Sequence, residues 1–186
     1  MRAILAIAAL AVLAAPAAAG PKKKYHFELA AVTAKDGVKP DVAKAALPRV
    51  ESRVKAAFAS NPQLVGADGA PDRANGDAYR KYLAGHGIAS AHLVTVEVTE
   101  AREEIEPLDG KANAQRLVIH LGIHMLGENI PARTMTFTGD GQATIKQEVG
   151  MKVRDRDRES TWDDAADTAV ADAMKTVFTQ LDKGKK

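Results

Sequence analysis

His120 and His124 form an H-x-x-x-H pair, a spacing that on a helix would put two imidazoles one turn apart and supply half of a metal site. Here the flanking residues alternate apolar and polar as a strand does. Four residues of strand span roughly 13 Å, so the two rings share a face yet cannot close on one ion unaided. No H-E-x-x-H or other full ligand set accompanies them, and the expectation is no metal and no cofactor. Glu103, Glu104, Glu106 and Asp109 are a second candidate, since glycoside hydrolysis needs two carboxyls at a fixed separation with one partly desolvated. They fall in a stretch that reads as a solvated hairpin loop, which offers neither condition. Ser52, Ser60, Ser90 and Ser160 lack the G-x-S-x-G elbow and the S-x-x-K spacing of serine nucleophiles. Gly139-Asp140-Gly141 is not continued as a G-x-G-x-x-G phosphate cradle. With no cysteine in the chain, thiolate catalysis, disulfides and thiolate metal sites are excluded together. No catalytic set emerges, and the chain is expected not to be an enzyme.

The elements that would position these residues follow from periodicity. Tyr25 to Thr33 alternates as a first strand, with Tyr25, Phe27, Leu29 and Ala31 on one side. Asp36-Gly37 breaks it, and Leu47, Val50, Val54 and Phe58 then recur at helical spacing, with Pro48 expected to open the firm part of a helix that ends at Ser60. Gln63–Val65 reads as a brief strand, and Gly66 to Gly76 as a loop. A short helix holding Ala78, Tyr79, Tyr82 and Leu83 closes at Gly85 or Gly87. His92 to Thr99 is a strand with Val94, Val96 and Val98 on one face, and Arg102 to Gln115 is its polar hairpin connection. Arg116 to Leu126 is the next strand, with Leu117, Ile119, Leu121, Ile123 and Met125 on one face. Gly127-Glu128-Asn129 reads as a turn, and Ala132 to Thr138 as a strand with Met135 and Phe137 inward and Thr134, Thr136 and Thr138 outward. Gly139-Asp140-Gly141 reads as another turn before a last strand over Gln142–Val153. The charged tract Arg154–Glu159 is expected to be a linker or lead-in, with Ser160 or Thr161 capping a final alanine-rich helix from Trp162 to Leu181. This order predicts a single α+β domain over 25–182, a two-layer sandwich. A mixed sheet of four to five strands would carry two or three helices on one face, including the long C-terminal helix.

Residues 1–19 join a charged start at Arg2 to an apolar run from Ala3 to Ala15 and the small residues Ala17-Ala18-Ala19, the order of a secretory signal peptide cleaved near Ala19. The run is shorter than the roughly 20 residues a spanning helix needs. Arg2 is the only charged residue there, so the remainder carries 25 Lys and Arg, one fewer than the whole chain's 26, against 24 Asp and Glu. Nothing in that balance points to nucleic acid. The basic residues instead collect in two tails, 20–24 and 183–186, expected to be solvated. The chain is expected to be periplasmic or secreted after cleavage, with no cysteine for acylation and so no stable membrane anchor.

Ala91-His92-Leu93-Val94-Thr95-Val96-Glu97-Val98, the segment from Leu121 through Gly127-Glu128-Asn129-Ile130-Pro131-Ala132, and the alanine-rich helix over Ala165–Leu181 together resemble a group of bacterial envelope domains. These are the penicillin-binding-protein activator lipoproteins, the curli-secretion lipoproteins and the amino-terminal domain of the Tol-Pal propeller protein. Thr95 stands where that group commonly has glycine, and the lipid-bearing cysteine is missing. The resemblance carries over no catalytic residue. It implies a non-enzymatic adaptor acting on another envelope protein, for which His120, His124, Thr134, Thr136 and Thr138 are the candidate partner-facing residues. An extracytoplasmic small-ligand carrier or inhibitor, with a pocket between sheet and helices, is the alternative.

Overall fold

The computed structural model describes residues 23–111 and 113–183. The predicted signal peptide and most of both basic tails lie outside them. The elements run β1 (Lys24–Ala34), α1 (Pro40–Ser60), α2 (Gly76–Gly85), β2 (Ile88–Pro107), β3 (Ala114–Ile130), β4 (Met135–Gly150) and α3 (Asp155–Lys183). The sheet order is β1-β2-β3-β4, with β1 parallel to β2 and the other pairs antiparallel. This is the α+β architecture expected, with a mixed four-stranded sheet and a long C-terminal helix.

Helices α1 and α3 pack on one face of the sheet and on each other. That face carries Val94, Val96, Val98, Leu117, Ile119, Leu121, Ile123 and Met125, all buried, as the alternation predicted. Helix α2 lies against the other face. There Tyr79 and Leu83 bury a small separate cluster with Ile88, Ala91 and Ile130 at the start of β2. Beyond that cluster the second face has no helix over it among the described residues.

Gly139-Asp140-Gly141 is not a turn. It lies inside β4, a single strand that replaces the two short ones predicted. A Cβ on Gly139 would stand 2.7 Å from the Ala173 carbonyl oxygen, and one on Gly141 would overlap the Ala169 carbonyl oxygen and stand 2.8 Å from the Ala173 nitrogen. The two glycines, on the same face of the strand, let α3 lie against bare backbone. The helix answers with Ala165, Ala166, Ala169 and Ala173, each wholly buried. Small residues on both surfaces bring the two backbones close enough for extensive dispersion contact.

The other departures have local causes. Pro40, not Pro48, occupies the first turn of α1; Pro48 sits within the helix on its exposed side. There the carbonyl left without a donor can be solvated. The acidic stretch predicted as a loop is strand as far as Pro107. Arg102, Glu104 and Glu106 share one face of the strand, where Arg102 pairs with Glu104 along it and Glu106 with Arg116 on β3, while Glu103 takes the other face. Helix α3 starts at Asp155, so the Arg154–Glu159 tract is its first turn and not a linker. Asp157 is buried there because the Arg154 guanidinium holds both its oxygens, at 2.7 and 3.1 Å. Gly127–Asn129 continues β3, and the turn comes at Pro131–Thr134. A bulge between Gly127 and Glu128 leaves Thr136 as the extra residue of β4. That bulge reverses the pleat, so Met135, predicted inward, is 66% exposed.

Candidate functional site

The uncovered part of the second face is a lattice of polar side chains on β2, β3 and β4. His124 stands between Glu97 on β2 and Asp140 on β4, and its Nδ1 lies 2.5 Å from Asp140 Oδ1. His120 stands between Arg102 and Thr144, with Nδ1 3.1 Å from Thr144 Oγ1 and Nε2 3.9 Å from Glu104 Oε2. Gly122 separates the two histidine rows. A Cβ there would come within 2.9 Å of Thr99 Oγ1, the extra residue of a bulge in β2. The two rings thus share a face, as expected, and each is engaged by its own partners.

Thr138 joins this face, opposite Leu126, and its backbone N–H donates to Gln180 Oε1 at 3.1 Å. Thr134 does not join it; it lies in the β3–β4 turn, where its carbonyl accepts from Asn129 N–H at 2.8 Å. Thr136 is the bulged residue, and its hydroxyl turns to a buried histidine. Of the five candidate partner-facing residues, the fold brings together His120, His124 and Thr138.

That buried histidine, His92, escaped the search for chemistry although its parity with Val94 places it inward. Its ring is 1% exposed, among Tyr25, Phe27 and Phe137 with centroids 5.1–6.4 Å away. Ser90 Oγ lies 2.7 Å from Nε2, and Thr136 Oγ1 lies 2.9 Å from Nδ1 and 3.0 Å from the Gly127 carbonyl oxygen. The Thr136 hydroxyl has one proton, which it donates to that carbonyl, so it accepts from His92 Nδ1–H. Nε2 then accepts from Ser90, and the ring is neutral. Burial is the main cause that lowers its pKa to about 4, with His26 adding to it. A serine bonded to a histidine is the start of a nucleophilic pair. Here the third member is an uncharged threonine, and the ring is buried at 1% exposure, away from solvent. The chain of hydroxyls serves to seat a polar ring inside an apolar end of the core.

Of the four carboxylates weighed for hydrolysis, Glu103 is the most committed. It faces the helices, where Oε1 accepts from Arg158 Nε at 2.8 Å and Oε2 from Trp162 Nε1 at 3.2 Å. It ties β2 to the first turns of α3 and gives the buried indole N–H its partner. Glu103→Ala is expected to lower stability by about 1–3 kcal/mol, because a charged acceptor is lost and a buried donor left unpaired. Urea unfolding checks this, with Glu104→Ala, on the exposed side of the strand, as the near-neutral comparison.

Two surface clefts lie at the edges of the sandwich. One, of about 720 Å³, lies at the β2–β3 hairpin end and is lined by Ile105, Leu108 and Met151 among others. The second, of about 480 Å³, lies between β1 and the end of α1, lined by Phe27, Leu29, Phe58 and Leu64 with His26, Glu28 and Lys55.

No family model matches the chain, and no curated relative was found. Solved structures that share part of its geometry include a Xanthomonas campestris protein of the DUF330 family, with a TM-score of 0.44 at 9% identity over 91% of this chain and 94% of that one. A minor lipoprotein of Acinetobacter baumannii gives 0.41 at 9% identity, covering 88% and 96%. The rare lipoprotein B of Shewanella oneidensis gives 0.38 at 9%, covering 87% and 99%. Two of these three are lipoproteins by name. None of the three bears the name of the activator, curli-secretion or Tol-Pal groups that the strand motifs resemble.

Proposed function

We propose that the chain is an exported, non-enzymatic interaction domain that acts by contact with an envelope protein. The observation that carries the reading is the uncovered half of the second sheet face. One face is closed by α1 and α3, while on the other the lattice of His120, His124, Thr138, Asp140 and Thr144 has no helix over it among the described residues. A broad, rigid, mixed-charge surface of this kind suits protein contact, because arginine, histidine and carboxylate groups held in fixed rows can be matched by a complementary partner. The signal-peptide pattern of residues 1–19 supplies the compartment.

Site-specific photo-cross-linking tests it. A photoreactive residue at Thr144, on this face, is expected to cross-link to one envelope protein, while the same residue at Glu51, on the exposed side of α1, does not. Cross-linking from Glu51 alone overturns the docking face, and a mature chain that still begins at Met1 overturns the export. The groove beside β1 is where a small ligand would sit under the alternative reading. A large rise in melting temperature in a ligand screen, abolished by Phe58→Lys, would favour that alternative.

A further inference from the structure

The two edges of the sheet are finished differently. The outer edge of β1 is protected: Tyr25 N–H donates to the Gln63 carbonyl at 2.8 Å, Val65 N–H donates to the Tyr25 carbonyl at 2.9 Å, and a bulge between Leu29 and Ala31 then breaks the line. β4 has neither device over Thr138–Glu148. Its register with β3 is unbroken there, and it contains no proline. The Thr138 backbone N–H turns away from β3 to Gln180 Oε1, at 3.1 Å. Alternation along the strand turns the N–H and C=O groups of Asp140, Gln142, Thr144, Lys146 and Glu148 outward as well. Among the described residues these main-chain groups have no partner.

We infer that this edge pairs with the same edge of a second copy, β4 antiparallel to β4 about a two-fold axis at Ala143, joining two four-stranded sheets into one. Charge selects both the occupant and the register. With the axis at Ala143, Asp140 falls opposite Lys146 of the second copy, Gln142 opposite Thr144 and Thr138 opposite Glu148, and symmetry makes each pair twice. Moving the axis to Thr144 sets Asp140 against Glu148, and moving it to Gln142 leaves Lys146 against Thr138. On the helix side of the strand the same register puts the half-buried Ile145 opposite Gly141. The oblique course of α3 leaves room for this. Its first turns reach toward β2, where Arg158 and Trp162 bond Glu103, and its last turn reaches the outer edge of β4 at Thr138. Where one helix lies over Gly139, the residue opposite is Gln147, and there the other helix has drawn back toward β2. The joined sheet carries both polar lattices on one face. The pairing does not rest on the envelope-docking reading: either can fail with the other intact.

The test is sedimentation equilibrium of the purified chain from Gly20 onward, which contains every described residue, with circular dichroism to confirm the fold of each variant. The mass is expected to rise with concentration to twice that of the monomer. Lys146→Glu sets an acid against Asp140 at both symmetric places and is expected to weaken the dimer roughly tenfold or more, as is Asp140→Lys, which sets two bases together. The two substitutions in one chain exchange the charges and are expected to restore the dimer. Gln142→Pro removes an outward N–H that β3 does not use and is expected to abolish pairing without unfolding the domain. Lys152→Gln, beyond the end of β4, is expected to change nothing. A monomer at every concentration overturns the proposal. So does a dimer that tolerates either single reversal, that the double reversal fails to restore, or that survives Gln142→Pro.

Discussion

Replacing Gly141 by alanine is expected to cost about 3 kcal/mol of stability, at the upper end for overpacking a core. The added methyl group would overlap the carbonyl oxygen of Ala169 and crowd the Ala173 nitrogen, both part of a helix backbone that has no rotamer to yield. The strain can be relieved only by moving α3 away from β4. That opens the contact formed by Ala165, Ala166, Ala169 and Ala173. In a domain of this length, the loss corresponds to a fall in melting temperature of roughly 6–12 °C. Gly85→Ala is the control. It replaces a glycine of α2 at a position where the new Cβ meets nothing within 4 Å, and no fall is expected. A Gly141→Ala variant as stable as the control would mean that α3 does not lie as close to β4 as described.

The same pair of glycines shows where the sequence could be read and where it could not. The order of elements, the inward valines of β2, the inward row of β3 and the alanine stripe of α3 all follow from periodicities that local residues set by themselves. Gly139-Asp140-Gly141 carries no such local signal. Glycine serves a turn and a close approach equally well, and what decides here is a helix some thirty residues further on. The charged strand ends were hidden for a related reason. Glu103 reads as loop until Arg158 and Trp162 stand opposite it, and Asp157 reads as solvent-exposed until Arg154 folds over it. At the candidate site, alternation put His120 and His124 on one face correctly, because no bulge falls between them. Thr136 and Met135 were misplaced because Thr136 is itself the bulged residue, and a single extra residue between Met135 and Phe137 exchanges the two faces. His92 faces the core by parity, but nothing near it in sequence announces Thr136, its second hydroxyl partner 44 residues away.

Acidification should reveal that buried ring as the main pH-dependent weakness of the fold above the carboxylate range. In the unfolded chain His92 binds a proton near its ordinary value of 6.5, whereas in the folded protein burial lowers that to about 4. Between the two values the unfolded state holds more protons than the folded one, so stability rises with pH through this window and is lost as pH falls from about 6.5 to about 4. The interval of about 2.5 units corresponds to about 3 kcal/mol, fully present at neutral pH and exhausted near the lower value. Urea unfolding at about pH 7 and about pH 4 measures it, and His92→Gln, which keeps a polar group but cannot titrate, is expected to lose much less across the same interval. Asp157, whose carboxyl the Arg154 side chain holds below its ordinary range, loses its contribution at lower pH and does so in both proteins, so the difference between them isolates the ring. The histidine's own NMR resonance gives a second measure: in the folded protein it should not move until the pH is well below 6. If it titrates near 6.5 instead, the ring is hydrated, and the bonds to Ser90 and Thr136 do not hold it neutral among Tyr25, Phe27 and Phe137.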